Sequence, residues 1–361
     1  MVHITGNFLA ESPLSPKARE VLGDAIDQGW SEPGKLAHSG ARARILRDEA
    51  LTSIASNLGL RSEEIEVLGE PSLGHFFSIA GLLRPTDTLV HSNVDRKEVF
   101  AIARNHDKSE EVPVETSGRI KVATLKKHSQ NEGVFALQVA NGETGVIQDV
   151  EALVNEARNL RLACDFSSAG TRVPLPSRWD SAYFDAKSWQ GPQGIGILAI
   201  RNGAAWKNPL PHIGHTRTPQ SASLPLMIAA AVALEEWQEK ENEAEPRLRS
   251  FSEELRREIA ATIENCDIAG DIDQSLPHIT SLSFLYVEGE ELLRRLELAG
   301  FSVDSGSACT AEDLQPSHVL AAMELLTHGN IRITLHHDTT SLQVRELISA
   351  IKLAVTDLRA S

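Results

Sequence analysis

Short apolar segments alternate with helical patterns through the first two thirds of the chain, and this alternation limits the folds that the sequence can adopt. The apolar runs with the length of buried strands cover residues 65–68, 88–91, 134–139, 161–166, 182–184 and 196–201. Amphipathic helices over 15–30 and 40–58 precede them, with Gly59 at the expected C-cap. Because parallel strands need helical crossovers and are covered on both faces, we predict a mostly parallel α/β sheet.

The remainder of the chain predicts a second, smaller domain. A long apolar helix begins near Ser221, and a strongly charged stretch, 235–245, precedes Pro246. We interpret this stretch as the hinge between two domains, although it also fits the solvated face of a helix. The expected division is a large domain over 15–245 and a C-terminal α+β domain over 246–361, with segment 1–14 packed near the small domain.

Charge and hydropathy exclude several classes of partner. The formal net charge is −15, and a phosphate backbone would be repelled by it, so we expect no nucleic acid partner. No apolar run approaches the roughly 20 residues that span a bilayer, and the first residues lack the pattern of a signal peptide. We therefore expect no membrane partner and a cytoplasmic location.

The cysteines point to chemistry at one position. Cys164, Cys266 and Cys309 are far apart and form neither a metal-type pair nor a disulfide framework, so we predict no metal site. Cys309 lies in Ser305-Gly-Ser-Ala-Cys-Thr310, among small residues. This context favours an exposed, reactive thiol, while a cysteine in a small-residue turn remains the alternative.

Polar residues at predicted strand ends are further candidates. Asp165 ends an apolar strand, where open α/β sheets bind ligands, although an N-cap or turn role is the favoured interpretation of such an aspartate taken alone. Lys187 ends another short strand before Gly191-Pro192. A lysine that forms a Schiff base and an acid that faces the ring nitrogen are the pair that pyridoxal phosphate (PLP) needs. Arg332, within a β-pattern, either reaches solvent or binds a carboxylate.

Together these segments resemble the cysteine desulfurases, which are fold-type-I PLP-dependent enzymes of the class V aminotransferase superfamily. The resemblance covers nearly the whole chain in the right order. The motifs that carry it are Asn141-Gly-Glu-Thr-Gly-Val-Ile-Gln-Asp149, Gly191-Pro-Gln-Gly-Ile-Gly196, Ser305-Gly-Ser-Ala-Cys-Thr310, Leu314-Gln-Pro-Ser-His-Val-Leu320 and Ile331-Arg-Ile-Thr-Leu335. It implies a fold-type-I PLP-transferase, with a large domain built on a mostly parallel seven-stranded sheet and a smaller C-terminal α+β domain.

The resemblance also implies roles for individual residues. Lys187 would hold PLP, and Asp165 would face the ring nitrogen. Cys309 would attack the sulfur of L-cysteine, while Arg332 and Asn141 would bind the substrate. The residues implied to contact the cofactor, besides Lys187 and Asp165, are Ser72, His75, Arg96, Ser168 and Ser223. Ser223 matches a residue that reaches the phosphate in the partner subunit, which implies a homodimer with shared sites.

The chain departs from the family pattern at several of these positions. The phosphate loop, Gly-Ala/Thr-Thr-Glu in the family, is Glu70-Pro71-Ser72-Leu73 here. Arg96 replaces the histidine that stacks on the ring, and His75 is a possible substitute for it. Ser168 replaces a glutamine at the ring hydroxyl, and Gly142 replaces a substrate-side asparagine. The family's Ser-x-His-Lys becomes Phe184-Asp185-Ala186-Lys187, which removes phosphate ligands and adds a carboxylate.

Three interpretations follow from this pattern. The first is a cysteine desulfurase that forms alanine and a persulfide on Cys309 for transfer to an unidentified acceptor protein. The second is another class V reaction, such as that of a selenocysteine lyase, a cysteine sulfinate desulfinase or an aminotransferase. The third is a nearly inactive homologue that serves as a sulfur relay or scaffold. Retention of Lys187 and Cys309 favours the first.

Overall fold

The computed structural model describes residues 6–29, 31–128, 132–214, 216–219, 221–306 and 316–360. Its strands are β1 Gly6–Phe8, β2 Ile65–Leu68, β3 Thr88–Ser92, β4 Ser109–Val112, β5 Gly133–Gln138, β6 Leu160–Asp165, β7 Ser181–Asp185, β8 Gly196–Ile200, β9 Cys266–Ile268, β10 Ile279–Phe284, β11 Phe301–Val303 and β12 Asn330–Thr334. Its α-helices are α1 Pro16–Asp27, α2 His38–Asn57, α3 Gly74–Ala80, α4 Lys97–Arg104, α5 Val122–His128, α6 Val150–Glu156, α7 Leu224–Thr262, α8 Gly289–Leu298, α9 His318–Ala322 and α10 Ser341–Ala360.

Seven strands form one large sheet in the described part of the chain. Their order is β2-β8-β7-β6-β5-β3-β4, and β8 runs in the direction opposite to the other six strands. The apolar run of β5 is buried along its whole length, as expected of a central strand covered on both faces. The sheet confirms the predicted α/β fold with a mostly parallel seven-stranded sheet.

The apolar pattern does not predict β4, an edge strand. Its sequence is Ser-Glu-Glu-Val, and it pairs with β3 alone in the sheet. Because an edge strand tolerates charged residues, its polar sequence carries little signal of a buried strand. The predicted strand over 65–68, in contrast, coincides with β2.

The charged stretch 235–245 does not interrupt the long helix, and the alternative interpretation as the solvated face of a helix describes it. Helix α7 continues from Leu224 to Thr262 with Pro246 inside it. A proline in a helix interior costs about 3 kcal/mol, but buried residues continue on both sides of it, including Ala244 and Leu248. The packing of this buried stripe keeps the helix intact, so the charged stretch is part of a helix surface.

Helix α7 contributes residues to two hydrophobic cores. Trp237 belongs to the core around the large sheet, whereas Leu248 belongs to a second core that includes α8, α10 and the antiparallel sheet β9-β10-β12. Strand β1 pairs in parallel with β11, and Phe8 joins the second core. The division at 245/246 stays a prediction, for which this change of core supplies a physical basis. Within the described ranges, none of the helices is both long and apolar enough to cross a membrane.

Candidate active site

A cavity of ≈ 870 Å³ opens at the carboxyl ends of the central strands and extends to β12. Ligands bind at this edge of open α/β sheets. The predicted site residues that line it are Ser72, His75, Arg96, Asn141, Ser168, Lys187 and Arg332. Asp165 lies next to His75 at the end of β6. The fold thus brings eight of the ten predicted residues to one region.

Two predicted residues are not part of this group. Ser223 immediately precedes α7, where its side chain makes no capping hydrogen bond, and it does not line the cavity of this protomer. Its predicted contact with a partner subunit stays a prediction. Cys309 lies outside the described residues.

Asp165 is a buried carboxylate surrounded by donors. Its Oδ2 lies 3.1 Å from Nε2 of His75 and 3.3 Å from Nε of Arg96, while its Oδ1 accepts the backbone N–H of Ser167 at 2.8 Å. Burial alone would raise the pKa of Asp165, but His75, Arg96 and Ser167 together lower it well below its ordinary value. The side chain is therefore a fixed negative charge beside the cavity.

Arg96 connects Asp165 to Ser168. It precedes α4, and its Nη2 donates to Oγ of Ser168 at 2.6 Å. Gly142 lies beside this contact, because a Cβ built at Gly142 would lie 2.5 Å from Oγ of Ser168 and 3.0 Å from Nη2 of Arg96. The guanidinium thus occupies space that a side chain at position 142 would fill.

Lys187 lies in the 3₁₀ turn Ala186–Trp189, directly after β7. Its Nζ is 3.8 Å from Oδ2 of Asp185, and its side chain is 45% exposed. Burial raises the pKa of Asp185, and the backbone N–H and charge of Lys187 oppose that rise. The turn therefore presents the Lys187 amine to the cavity next to a carboxylate from the adjoining strand.

The loop expected to bind phosphate makes hydrogen bonds within itself. Glu70 accepts hydrogen bonds from the hydroxyl of Ser72 at 2.7 Å and from its backbone N–H at 3.3 Å. Pro71 has no N–H to donate, and its carbonyl accepts the Tyr183 hydroxyl at 2.8 Å. A carboxylate therefore already engages the hydroxyl that we predicted to hold an anion, and Ser72 as a phosphate ligand stays a prediction.

Arg332, on β12, is also paired within the chain. Its Nη2 donates to Oδ2 of Asp304 at 2.6 Å, and its Nη1 donates to the carbonyl of Gly142 at 3.0 Å. The backbone N–H of Ala10 donates to the same Asp304 oxygen at 2.7 Å. A substrate carboxylate that binds Arg332 must compete with Asp304.

Asn141 has a structural role in its loop. Its amide donates to the carbonyl of Val94 and to Oε1 of Gln138, while its oxygen accepts the backbone N–H groups of Glu143 and Thr144. Both amide hydrogens are thus used within the protein. The predicted contact between Asn141 and substrate stays a prediction, and the geometry adds no support to it.

One wall of the cavity was missed by sequence reasoning. The basic and aromatic residues of this wall are Arg172, Trp237, His278, His336 and His337. Trp237 lies between the Arg172 guanidinium, 4.3 Å from its ring, and the stacked ring of His337 at 3.9 Å. Burial and the charge of Arg172 lower the pKa of His337 to about 4. The available signal was the pair His336-His337, two residues after the end of β12.

The two described cysteines are poor nucleophiles. Burial raises the pKa of the Cys164 thiol above its ordinary value. Burial and the neighbouring Asp267 raise the pKa of Cys266 to about 11. Because the thiolate is the nucleophile, these raised pKa values disfavour a reactive role for either residue.

Comparison with known proteins identifies the family. The family model for aminotransferase class-V matches residues 78–347, which is more than half of the chain. The chain belongs to the aminotransferase class-V family. It is 33% identical to a cysteine desulfurase of Nostoc sp., over 97% of this chain and 92% of that protein. It is 27% identical to cysteine desulfurase IscS of Dictyoglomus turgidum, over 98% and 94% respectively.

A solved NifS-like protein shares the class-V fold. It superimposes with a TM-score of 0.84 at 22% identity, over 97% of this chain and 99% of that chain. The predicted fold-type-I architecture and the predicted cysteine desulfurase family are confirmed. This class-V chain is thus an enzyme of a family that generally depends on PLP.

The residues of the cavity fit the aldehyde and the ring of PLP in kind. Lys187 supplies an amine in the cavity, and Asp165 supplies an ionised carboxylate of the type that pairs with a ring nitrogen. Ser168 supplies a hydroxyl for a polar ring substituent. The phosphate side fits less well, because Glu70 already binds Ser72.

Proposed function

We propose that this class-V enzyme converts L-cysteine to L-alanine and carries the released sulfur as a persulfide on Cys309. The arrangement of Asp165 and Lys187 at two neighbouring strand ends is the observation that supports this proposal. Strands β6 and β7 end side by side, with the ionised Asp165 buried at the end of one strand and the Lys187 amine in the cavity wall after the other. A carboxylate and an amine at adjacent strand ends are the pair that PLP chemistry needs.

Each residue has a defined task in this proposal. PLP, when bound, supplies an electron sink for bond changes at the α-carbon of the amino acid. Lys187 holds the cofactor through Nζ and moves the α-proton, while Asp165 provides a fixed negative charge for the ring nitrogen. Arg332 binds the substrate carboxylate after Asp304 has left its guanidinium.

The sulfur step uses Cys309. The Cys309 thiolate attacks the sulfur of L-cysteine, an S–S bond forms, and the Cβ–S bond of the substrate breaks. The electron pair of the broken bond remains on carbon, which takes up a proton to give alanine. Cys309 is left as a persulfide, so sulfur is transferred without any external oxidant or reductant.

Partner and compartment follow from the same chemistry. A persulfide must be passed to an acceptor protein or a thiol reductant, and free thiols persist in a reducing compartment, so we propose the cytoplasm. Ser223 supports a homodimer in which it reaches the phosphate site of the partner subunit. A monomer with full activity at micromolar concentration would contradict this shared site.

The test is chemical identification of the sulfur carrier. PLP-loaded protein incubated with L-cysteine should form alanine and gain about 32 Da, one sulfur atom, on the peptide that contains Cys309. Cys309→Ala should keep the cofactor spectrum and form no persulfide, whereas the control Cys266→Ala should remain active. Alanine production with an unmodified Cys309 peptide would refute the persulfide proposal.

The internal pairing of the site favours a second candidate, a nearly inactive homologue that serves as a sulfur relay or scaffold. Glu70 binds Ser72 at 2.7 Å, and Asp304 binds Arg332 at 2.6 Å, so two predicted ligand contacts are already made within the chain. Full PLP loading without alanine production from cysteine, or without turnover of a panel of other amino acids, would favour this candidate.

A further inference from the structure

Three departures from the family pattern meet at one guanidinium. Arg96, Ser168 and Gly142 are far apart in sequence, yet Nη2 of Arg96 donates to Oγ of Ser168 at 2.6 Å, and both atoms lie against Gly142. A Cβ at position 142 would lie 3.0 Å from the arginine nitrogen and 2.5 Å from the serine oxygen. The small residue at 142 and the short hydroxyl at 168 are therefore what the guanidinium needs in order to lie there.

The position of this guanidinium overlaps with the contacts assigned to the cofactor. Nε of Arg96 is 3.3 Å from Oδ2 of Asp165, the oxygen that also lies 3.1 Å from His75. In the proposed function Asp165 serves the ring nitrogen, and the family resemblance places Ser168 at the ring hydroxyl. Arg96 engages both side chains, so the atoms that the ring would need are already in use.

We propose that Arg96 is a resident cation that competes with PLP for Asp165 and Ser168. The cofactor-free protein is then a state in which the buried Asp165 charge is satisfied, and PLP binds only when the guanidinium leaves. The Arg96 side chain is 34% exposed, so it has a path towards solvent that leaves the core closed. This inference rests on the proposed use of PLP.

Cofactor uptake by the apoprotein tests the competition directly. PLP is titrated into the full-length apoprotein, and binding is followed by absorbance and by the rise in Tm, without any turnover. Arg96→Gln removes the charge and should raise PLP affinity about tenfold, which corresponds to about 1.4 kcal/mol. The control Arg104→Gln, an exposed position in the last turn of α4, should leave the affinity unchanged.

Gly142→Ala provides a second variant that keeps the arginine. Its added Cβ displaces the Arg96–Ser168 contact, so PLP affinity should again rise while the charge of the chain stays the same. The Tm of the apoprotein should fall in both variants, because Arg96→Gln removes a charged partner of Asp165 and Gly142→Ala displaces the Arg96–Ser168 hydrogen bond. This fall separates loss of a resident cation from a general improvement in folding.

The outcomes distinguish this inference from the proposed function. Equal PLP affinity in wild type, Arg96→Gln and Gly142→Ala would overturn the competition even if the enzyme releases alanine from cysteine. Weaker PLP binding by Arg96→Gln would make Arg96 a cofactor ligand and also overturn it. Failure of every variant to take up PLP would show that Arg96 is not what excludes the cofactor. Tighter binding by both variants without alanine production would uphold the competition and refute the desulfurase.

Discussion

The ion pair between Arg332 and Asp304 should lower the affinity of the enzyme for an amino acid carboxylate, and Asp304→Asn tests this. The two charged atoms are 2.6 Å apart, and each side chain is 21% exposed. A hydrogen bond between charged partners contributes about 1.5–3 kcal/mol, against about 0.5–1.5 kcal/mol for a neutral one. The substitution keeps an oxygen that can accept from Ala10 and Arg332 but removes the charge. A difference of roughly 1.4 kcal/mol in binding free energy corresponds to tenfold tighter binding of the substrate carboxylate.

The assay measures KM for L-cysteine on PLP-loaded protein together with the Tm of the unloaded protein. Asp304→Asn should lower KM about tenfold and lower Tm by about 2 °C, the shift expected for a loss near 1 kcal/mol in a large domain. Arg332→Ala should raise KM. The control Glu239→Gln removes an exposed ion pair with Lys17 and should change neither value. An unchanged or higher KM in Asp304→Asn would refute the idea that Asp304 occupies a substrate subsite.

Three further predictions concern the cofactor site and pH. Lys187→Ala should abolish borohydride-fixed cofactor while changing unfolding free energy by less than about 0.5 kcal/mol, because the side chain is half exposed; retained fixation would mean that another lysine is used. Asp165→Asn should lower the stability of the apoprotein by about 1.5–3 kcal/mol, measured by urea unfolding, since His75 and Arg96 lose a charged partner. His337 has a pKa of about 4 when folded and an ordinary value near 6.5 when unfolded, so only the unfolded chain binds the proton between these values. Stability should fall as the pH drops from about 6.5 to about 4, and His337→Gln should make urea midpoints at pH 5 and pH 7 more alike; an unchanged pH slope would exclude His337 as a cause.

The sequence predicts the large sheet well because its signal is local. A strand buried on both faces gives a nearly unbroken apolar run, and the runs near 134–139 and 196–201 have the length typical of such strands. The long helix is harder to predict, because proline and a charged stretch normally end a helix. What keeps α7 intact is burial on both sides of Pro246, with Trp237 in the core around the large sheet and Leu248 in the second core, and such tertiary packing leaves no local pattern.

The sequence predicts which residues lie near the candidate site better than it predicts the contacts between them. Asp165 and Lys187 were found because strand ends meet at one edge of a parallel sheet. Asp304 was not singled out, since a lone aspartate in a loop carries no signal until Arg332 is seen 2.6 Å away. The wall of Arg172, Trp237 and the histidines comes from the β6–β7 connection, α7 and the residues just before β10 and just after β12, so it exists only after folding.

The departures from the family motifs differ from random loss in one physical respect. Glu70, Asp185 and Arg96 each introduce a charge, and each charge meets a residue of the same site: Ser72 at 2.7 Å, Lys187 at 3.8 Å and Asp165 at 3.3 Å. Random substitution in a buried polar site leaves charges without partners, at a cost of about 1–3 kcal/mol or more for each unsatisfied group. Here Asp185 and Arg96 compensate older charges, and Glu70 accepts hydrogen bonds from Ser72, which stabilises the site without a ligand. Restoring a single family residue, for example by Glu70→Gly, should therefore open a cofactor contact and destabilise the apoprotein at the same time, because the change removes the carboxylate to which Ser72 donates.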